Sequence, residues 1–226
     1  MPTLACPGAG APRVPMQLRL TYFDFPFWRA ETARLALHLG EIPFDDRRPS
    51  RAQFQAMKAS GELPYGQLPI LEVDGQCIAQ TPAIARFCGK LAGLYPEEAL
   101  AGARVDELLH SVEQLTSVLG PSMIEKDPTR KAELRDLAGT HHLPALLAMM
   151  ERRVASFGDG PWAVGEQMTV ADLALWRALS WLSGGILDGI PTTLLDPTPR
   201  LRGLVAHVDA LPKVRAWMHE HYGGDR

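Results

Sequence analysis

The spacing of hydrophobic positions changes once along this chain, near residue 93. Before that point the apolar residues come in short strand-like runs and compact helical stretches. Leu18-Arg19-Leu20-Thr21-Tyr22-Phe23 alternates as a strand does. From Trp28 to Leu39, the residues Ala33, Leu35, Ala36, Leu37 and Leu39 make an apolar helix that stops at Gly40. Ile42-Pro43-Phe44 begins a second extended piece, and the charged residues Asp45 to Arg48 follow it. Phe54 and Met57 lie at helical spacing within Ser50 to Ala59, with Ser50 as the expected N-cap. Ile70 to Val73 and Gln76 to Ala79 flank Asp74-Gly75, the strongest short hairpin signal in the chain. Thr81 is expected to cap the next helix, with Pro82 at a first-turn position that needs no N–H. The predicted order is β-α-β-α-β-β-α, an α/β unit over residues 16–92.

Beyond a linker at residues 93–100, which holds Gly93-Leu94-Tyr95-Pro96, only helical periodicity remains. Val105, Leu108, Leu109, Val112, Leu115 and Val118-Leu119 form one apolar stripe. Leu134, Leu137, Leu143, Leu146, Leu147, Met150 and Val154 form another, with a kink expected at Pro144. Thr169-Val170-Ala171-Asp172 reads as a capping box that opens an apolar helix through Trp181, and a last helix begins near Pro212. Residues 101–226 are therefore expected to be all-helical. The stretch Ser183 to Thr193 has no assigned role in this pattern.

Composition narrows the classes of function. The chain has 226 residues, 46% hydrophobic, and a net charge of −3, enough for one large domain or two small ones, each with a core, and no electrostatic footprint for nucleic acid or an anionic membrane. No apolar run approaches the roughly 20 residues of a membrane span. Residues 1–15, rich in Gly, Ala and Pro, are expected to be a disordered tail. Cys6, Cys77 and Cys88 show no metal or disulfide spacing, which points to a reducing, cytoplasmic setting, with Cys77 and Cys88 expected to be buried and inert. His141-His142 point apart on a helix, so no metal site is expected.

The chemistry concentrates around the hairpin. A Leu-Pro just ahead of a strand predicts a cis peptide at Leu68-Pro69, with the Leu68 backbone groups off the ladder and open to an extended peptide. Thr81, at the start of its helix, offers a hydroxyl and N–H groups to an anion, and Gln80 adds an amide beside it. Together these residues describe a cradle for a small peptide with a free carboxylate.

Leu-Thr-Tyr-Phe at 20–23, Arg-Ala-Glu at 29–31, Gly-Gln-Leu-Pro-Ile-Leu-Glu-Val-Asp-Gly at 66–75 and Gln-Thr-Pro-Ala-Ile-Ala-Arg-Phe at 80–87 resemble the cytosolic glutathione transferases of the Tyr type. The resemblance is closest to the sigma class, which includes the haematopoietic prostaglandin D synthases. It implies a thioredoxin-like N-terminal domain, an all-α helical-bundle C-terminal domain, glutathione as co-substrate, a small apolar electrophile and a homodimer. By the same resemblance Tyr22 donates to the glutathione sulfur, and Arg29 lies just below it. Gln67, Leu68 and Pro69 pair with the cysteinyl backbone, while Gln80 and Thr81 hold the γ-glutamyl end. Phe54 and Lys58 fall near the glycyl carboxylate, and Glu113 reaches across the dimer to the γ-glutamyl amine. Phe25, Phe27 and Trp28 are expected to wall an apolar substrate pocket.

Thr81 stands where the family has Ser, and Phe54 where it has Trp. The Asp24-Phe25-Pro26-Phe27-Trp28 loop is longer and more aromatic than the family's. Conjugation of glutathione is the expected activity, with a glutathione-dependent isomerase or peroxidase as the close alternative. A non-enzymatic binding or structural protein is the alternative from another class.

Overall fold

The computed structural model of the chain describes residues 16–223, so the tail expected at 1–15 lies outside the described residues. The first half holds β1 (Leu18–Thr21), α1 (Trp28–Leu39), β2 (Asp45–Arg47), α2 (Arg51–Ala59), β3 (Ile70–Val73), β4 (Gln76–Ala79) and α3 (Thr81–Leu91). Its four strands form one mixed sheet in the order β2-β1-β3-β4, with β1 parallel to β2 and antiparallel to β3. Asp74 and Gly75 both have positive φ, 49° and 81°, the geometry of the tight hairpin turn between β3 and β4.

Two local expectations change here. The second strand is the charged Asp45–Arg47 rather than Ile42–Phe44. β2 is a sheet edge, where charged residues are tolerated and guard against further pairing. Asp45 meets its cross-strand neighbour Arg19 at 2.6 Å. Thr81 is the first residue of α3 and not its cap; Gln80 occupies the cap position with φ 75° and no side-chain capping bond.

The second half is helical: α4 (Ala99–Ile124), α5 (Pro128–Leu137), α6 (Leu143–Ala155), α7 (Val170–Ser183), α8 (Pro199–Asp209) and α9 (Pro212–Tyr222). The α4 stripe buries Val105, Leu108, Leu109, Val112, Leu115 and Leu119 as its spacing predicts. Between α5 and α6 the chain makes a π-helical turn at Ala138–His142, just ahead of Pro144. A π-turn absorbs an extra residue in the ladder and resets which face is buried. That reset leaves Leu137 exposed, while Arg135 is buried. Segment 184–193 packs over this turn: a Cβ on Gly139 would come within 2.9 Å of Pro191 Cδ, so only glycine allows the approach.

Helix α7 is the central pillar, with Leu173, Leu175, Ala178 and Leu179 fully buried and α1, α4 and α8 packed around it. Its start is specified by a capping box. Asp172 accepts from Thr169 N at 2.7 Å and Thr169 Oγ1 at 2.9 Å, and also from Ala163 N at 2.7 Å. At Gly89 on α3 a Cβ would sit 3.0 Å from Val170, so α3 packs directly against the start of α7.

A second buried cluster joins the two ends of the chain. Glu31 and Arg34 on α1, both fully buried, pair at 3.2 Å. Tyr222 on α9 donates to Glu31 at 2.7 Å, Trp217 donates to the other Glu31 oxygen, and Arg34 Nε reaches Asp46 on β2 at 3.0 Å.

Replacing Asp172 by Ala removes a buried cap and three accepted hydrogen bonds. The expected loss is about 2–4 kcal/mol of folding stability. Urea unfolding followed by far-ultraviolet circular dichroism checks it, and an unchanged midpoint contradicts the role given to this carboxylate.

Candidate active site

Strand register assembles the site. Arg47, Thr21, Ile70 and Ala79 lie in one row across the sheet. One step beyond them, at the same sheet end, come Arg48, Tyr22, Pro69 and Gln80. Residues far apart in sequence therefore reach one edge without any long loop having to fold back.

Tyr22 is 4% exposed, and its N–H donates to Arg47 O at 3.1 Å. Its ring leans on Phe25 at a centroid distance of 5.5 Å. Its hydroxyl has no hydrogen-bond partner among the described residues. Burial pushes the Tyr22 hydroxyl up to about 12, with the guanidinium groups of Arg29 and Arg34 pulling the other way. At neutral pH Tyr22 therefore keeps its proton, which makes it a group able to donate a hydrogen bond and not a base.

Three arginines grip the loop that follows. Arg34 Nη2 donates to Phe23 O at 3.2 Å, Arg48 Nη1 to the Asp24 carboxylate at 2.5 Å, and Arg177 Nε to Pro26 O at 2.7 Å. They come from α1, from the residue after β2 and from α7. The sequence reading missed all three; its one visible signal was the Glu31–Arg34 pair at i, i+3 spacing in α1.

The aromatic residues of this loop divide. Phe25 is 44% exposed and lines a cavity of about 580 Å³ with Tyr22, Phe23, Pro49, Arg51 and Phe54. Phe27 is half-buried, edge-on to Trp181 at 5.0 Å. Trp28 is wholly buried and walls no open pocket, which corrects the expectation for it. Its position as the first residue of α1 turns the indole into the core beneath the loop.

Arg29 meets Glu113 of α4 at 2.9 Å, within its own chain. The resemblance gave Glu113 to a ligand on the partner; here its carboxylate joins α1 to α4. On α2, Lys58 Nζ lies 5.6 Å from the centre of the Phe54 ring. Gly66, at φ 64°, passes beside the Lys58 stem, where a Cβ would stand 3.6 Å from Cε. The lysine thus lies next to the exposed Gln67.

Leu68-Pro69 is cis, and both residues are buried ahead of β3. The Leu68 backbone has no main-chain partner among the described residues. Gln80 is exposed, and Thr81 is 3% exposed with its Oγ1 buried and unpartnered. A buried hydroxyl left unpaired costs about 1–3 kcal/mol, so a group that fills this spot gains a hydrogen bond at a helix N-terminus.

Elsewhere the thiols carry no activation. Cys88 is buried and its thiol is pushed up to about 12 by burial. Cys77 is exposed, against expectation, because it falls on the outward face of the edge strand β4. Its pKa is still raised, by partial burial and by Glu72 and Glu62. Among the described residues no group of His, Cys, Asp or Glu could hold a metal ion.

The protonation state of Tyr22 is measurable. The ultraviolet difference titration of the protein against its Tyr22→Phe variant should show no tyrosinate from this residue below pH 10. Because the folded state holds this proton more tightly than the unfolded chain, whose tyrosines titrate near ~10, stability should fall as pH rises from there toward 12. Tyrosinate appearing near neutral pH contradicts the donor role.

Comparison with known proteins agrees with this architecture. Residues 18–89 match the family described as glutathione S-transferase, N-terminal domain, and residues 113–221 match glutathione S-transferase, C-terminal domain. The chain is 32% identical over 212 residues to glutathione S-transferase 1 of Ascaris suum, covering 90% of this chain and 96% of that one. It is 31% identical over 202 residues to the hematopoietic prostaglandin D synthase of Gallus gallus, covering 89% and 95%. Its fold is similar to the solved prostaglandin synthase D of Nilaparvata lugens, with a TM-score of 0.78, 26% identity and coverage of 90% and 98%.

Proposed function

The chain belongs to the glutathione S-transferase family, and from that membership we propose that it joins the glutathione thiolate to small hydrophobic electrophiles. The observation that carries the reading is a pair of unsatisfied hydroxyls at one sheet end: Tyr22, without a partner, and Thr81, buried without one. Both are donors waiting for acceptors, and glutathione brings a sulfur and a γ-glutamyl carboxylate.

In this reading glutathione lies along the sheet end as a short extended strand. Gln80, Thr81 and the N-terminus of α3 hold its γ-glutamyl carboxylate. The Leu68 backbone, next to Gln67 and Pro69, pairs with the cysteinyl residue. Lys58, stacked on Phe54, takes the glycyl carboxylate. Arg29 supplies positive potential beside Tyr22, and Glu113 keeps Arg29 in place. The departure of Phe54 from the family's Trp removes an N–H donor and leaves Lys58 the larger share.

A free thiol near 8.5 is only a few per cent ionised at neutral pH, and lowering it by two units takes about 2.7 kcal/mol. A hydrogen bond from the Tyr22 hydroxyl to a thiolate, with Arg29 nearby, is of that size. The thiol proton leaves to solvent. The sulfur then attacks an electrophilic carbon held against Phe25 in the cavity of about 580 Å³, forming a C–S bond. A leaving group such as chloride departs with its electron pair, or, at an activated double bond, the carbanion that forms takes a proton from solvent. We infer that the working form is a cytoplasmic homodimer, as the sequence resemblance implies.

Relatives named prostaglandin D synthase favour a second reading, a glutathione-dependent isomerisation in which the product keeps no glutathione. Mass spectrometry of products separates the two. A product that carries glutathione, heavier by one glutathione after addition or by one glutathione less the departing acid after substitution, supports conjugation, and an unchanged mass supports isomerisation.

Steady-state kinetics with a chloronitrobenzene electrophile test the residue roles. Tyr22→Phe should lower kcat/KM about 10–100-fold, one charge-assisted hydrogen bond. Thr81→Val should raise the KM for glutathione about tenfold with kcat little changed. Equal kinetics in both variants and wild type contradict the site.

A further inference from the structure

The cavity of about 580 Å³ beside Tyr22 has a wall that is mostly aromatic and carries one cation. The rings of Tyr22, Phe25, Phe23 and Phe54 run in contact from the end of β1 to α2, with successive centroid spacings of 5.5, 6.2 and 5.2 Å. Phe23 and Phe25 are stacked to within 12° of parallel. Pro49 adds to the apolar surface. Such a wall accommodates a flat apolar body of about ring size.

Arg51 is the charge on that wall that lacks a counter-charge. It is the first residue of α2 and lies three residues before Phe54, so the two side chains share one face of the helix. Its guanidinium makes no hydrogen bond or ion pair among the described residues. Asp24 is the one carboxylate on the wall, and it already accepts from Arg48 Nη1 at 2.5 Å. Gln55 is neutral, and Tyr22 keeps its proton. Lys58, farther along α2, lies over the Phe54 ring and is not on this wall. A guanidinium is always ionised and forks onto a carboxylate, and beside a wall of rings it is screened less than in open water.

We propose that Arg51 selects the electrophile: the favoured co-substrates join a flat apolar body to a carboxylate. This rests on the transferase reading of the same site and narrows it from hydrophobic electrophiles to anionic ones. For an aryl chloride, the glutathione sulfur forms a C–S bond at the carbon that bears chlorine. Chloride leaves with the bonding pair, and the thiol proton goes to solvent. The carboxylate takes no part in these bond changes and stays on Arg51, which is a specificity residue and not a catalytic one.

Two measurements on the full chain separate this proposal from the transferase reading. Isothermal titration compares 3,5-dinitrobenzoate, which has no chloride to lose, with 3,5-dinitrobenzamide. The benzoate should bind more tightly by about three- to fivefold, the size of a contact to an exposed cation. Arg51→Gln should remove that preference, and Arg51→Glu should reverse it. Arg51 is exposed, so these variants keep the fold. Steady-state kinetics then compare 4-chloro-3,5-dinitrobenzoate with the matching amide, each kcat/KM divided by the uncatalysed rate constant with glutathione. The same preference, lost in the same variants, is expected. The proposal is overturned by equal binding of benzoate and amide, by a preference that survives Arg51→Gln, or by an Arg51→Gln defect confined to the KM for glutathione. Arg51-dependent binding with no conjugate formed from either chloride upholds the contact and contradicts the transferase reading.

Discussion

The buried ion pair between Glu31 and Arg34 is the constraint on which the rest of this molecule depends. Neither side chain touches solvent, and every direction from the pair leads to a different part of the chain. Glu31 takes hydrogen bonds from Trp217 and Tyr222 of the last helix. Arg34 reaches Asp46 on the edge strand and the carbonyl of Phe23. A buried pair adds little net stability over an apolar one of equal volume, but breaking it by removing one partner costs about 3–5 kcal/mol. Its contribution is geometric: it seats α1, α9, β2 and the loop after Tyr22 in one arrangement.

That arrangement carries into the site. The sheet register places Tyr22, Pro69 and Gln80 at one edge. Register alone would leave the five residues between Tyr22 and Trp28 free to adopt other paths. Arg34, Arg48 and Arg177 remove that freedom by holding Phe23, Asp24 and Pro26 in turn. Rigid support of this kind keeps a reacting group within the fraction of an ångström that catalysis requires. The arginine grip is the physical means by which the loop after Tyr22 is held in one path.

Much of the fold was legible because its signals are local. The Ser50 cap, the Thr169 capping box, the Asp74-Gly75 turn, the cis Leu68-Pro69 and the α4 stripe each depend on neighbouring residues alone. The misreadings share the opposite character. Asp45–Arg47 is a strand because it lies at a sheet edge, and Cys77 is exposed for the same reason. Trp28 is buried because α1 begins under the loop, and Thr81 lost the cap position to Gln80 through a backbone turn at φ 75°. Helix α8 went unread although Leu201, Leu204 and Val208 recur at helical spacing, since its polar residues dilute the stripe. The arginines that grip the site loop have no local signature at all; each is visible only once distant elements meet.

The central claim is that a protonated Tyr22 turns the glutathione thiol into a thiolate. The most direct measurement is the ultraviolet absorbance of the thiolate of bound glutathione as a function of pH, in the wild type and in Tyr22→Phe. The account predicts ionisation near neutral pH in the wild type and a shift upward of about two units without the hydroxyl. Identical titrations in the two proteins, with glutathione bound to both, would contradict it.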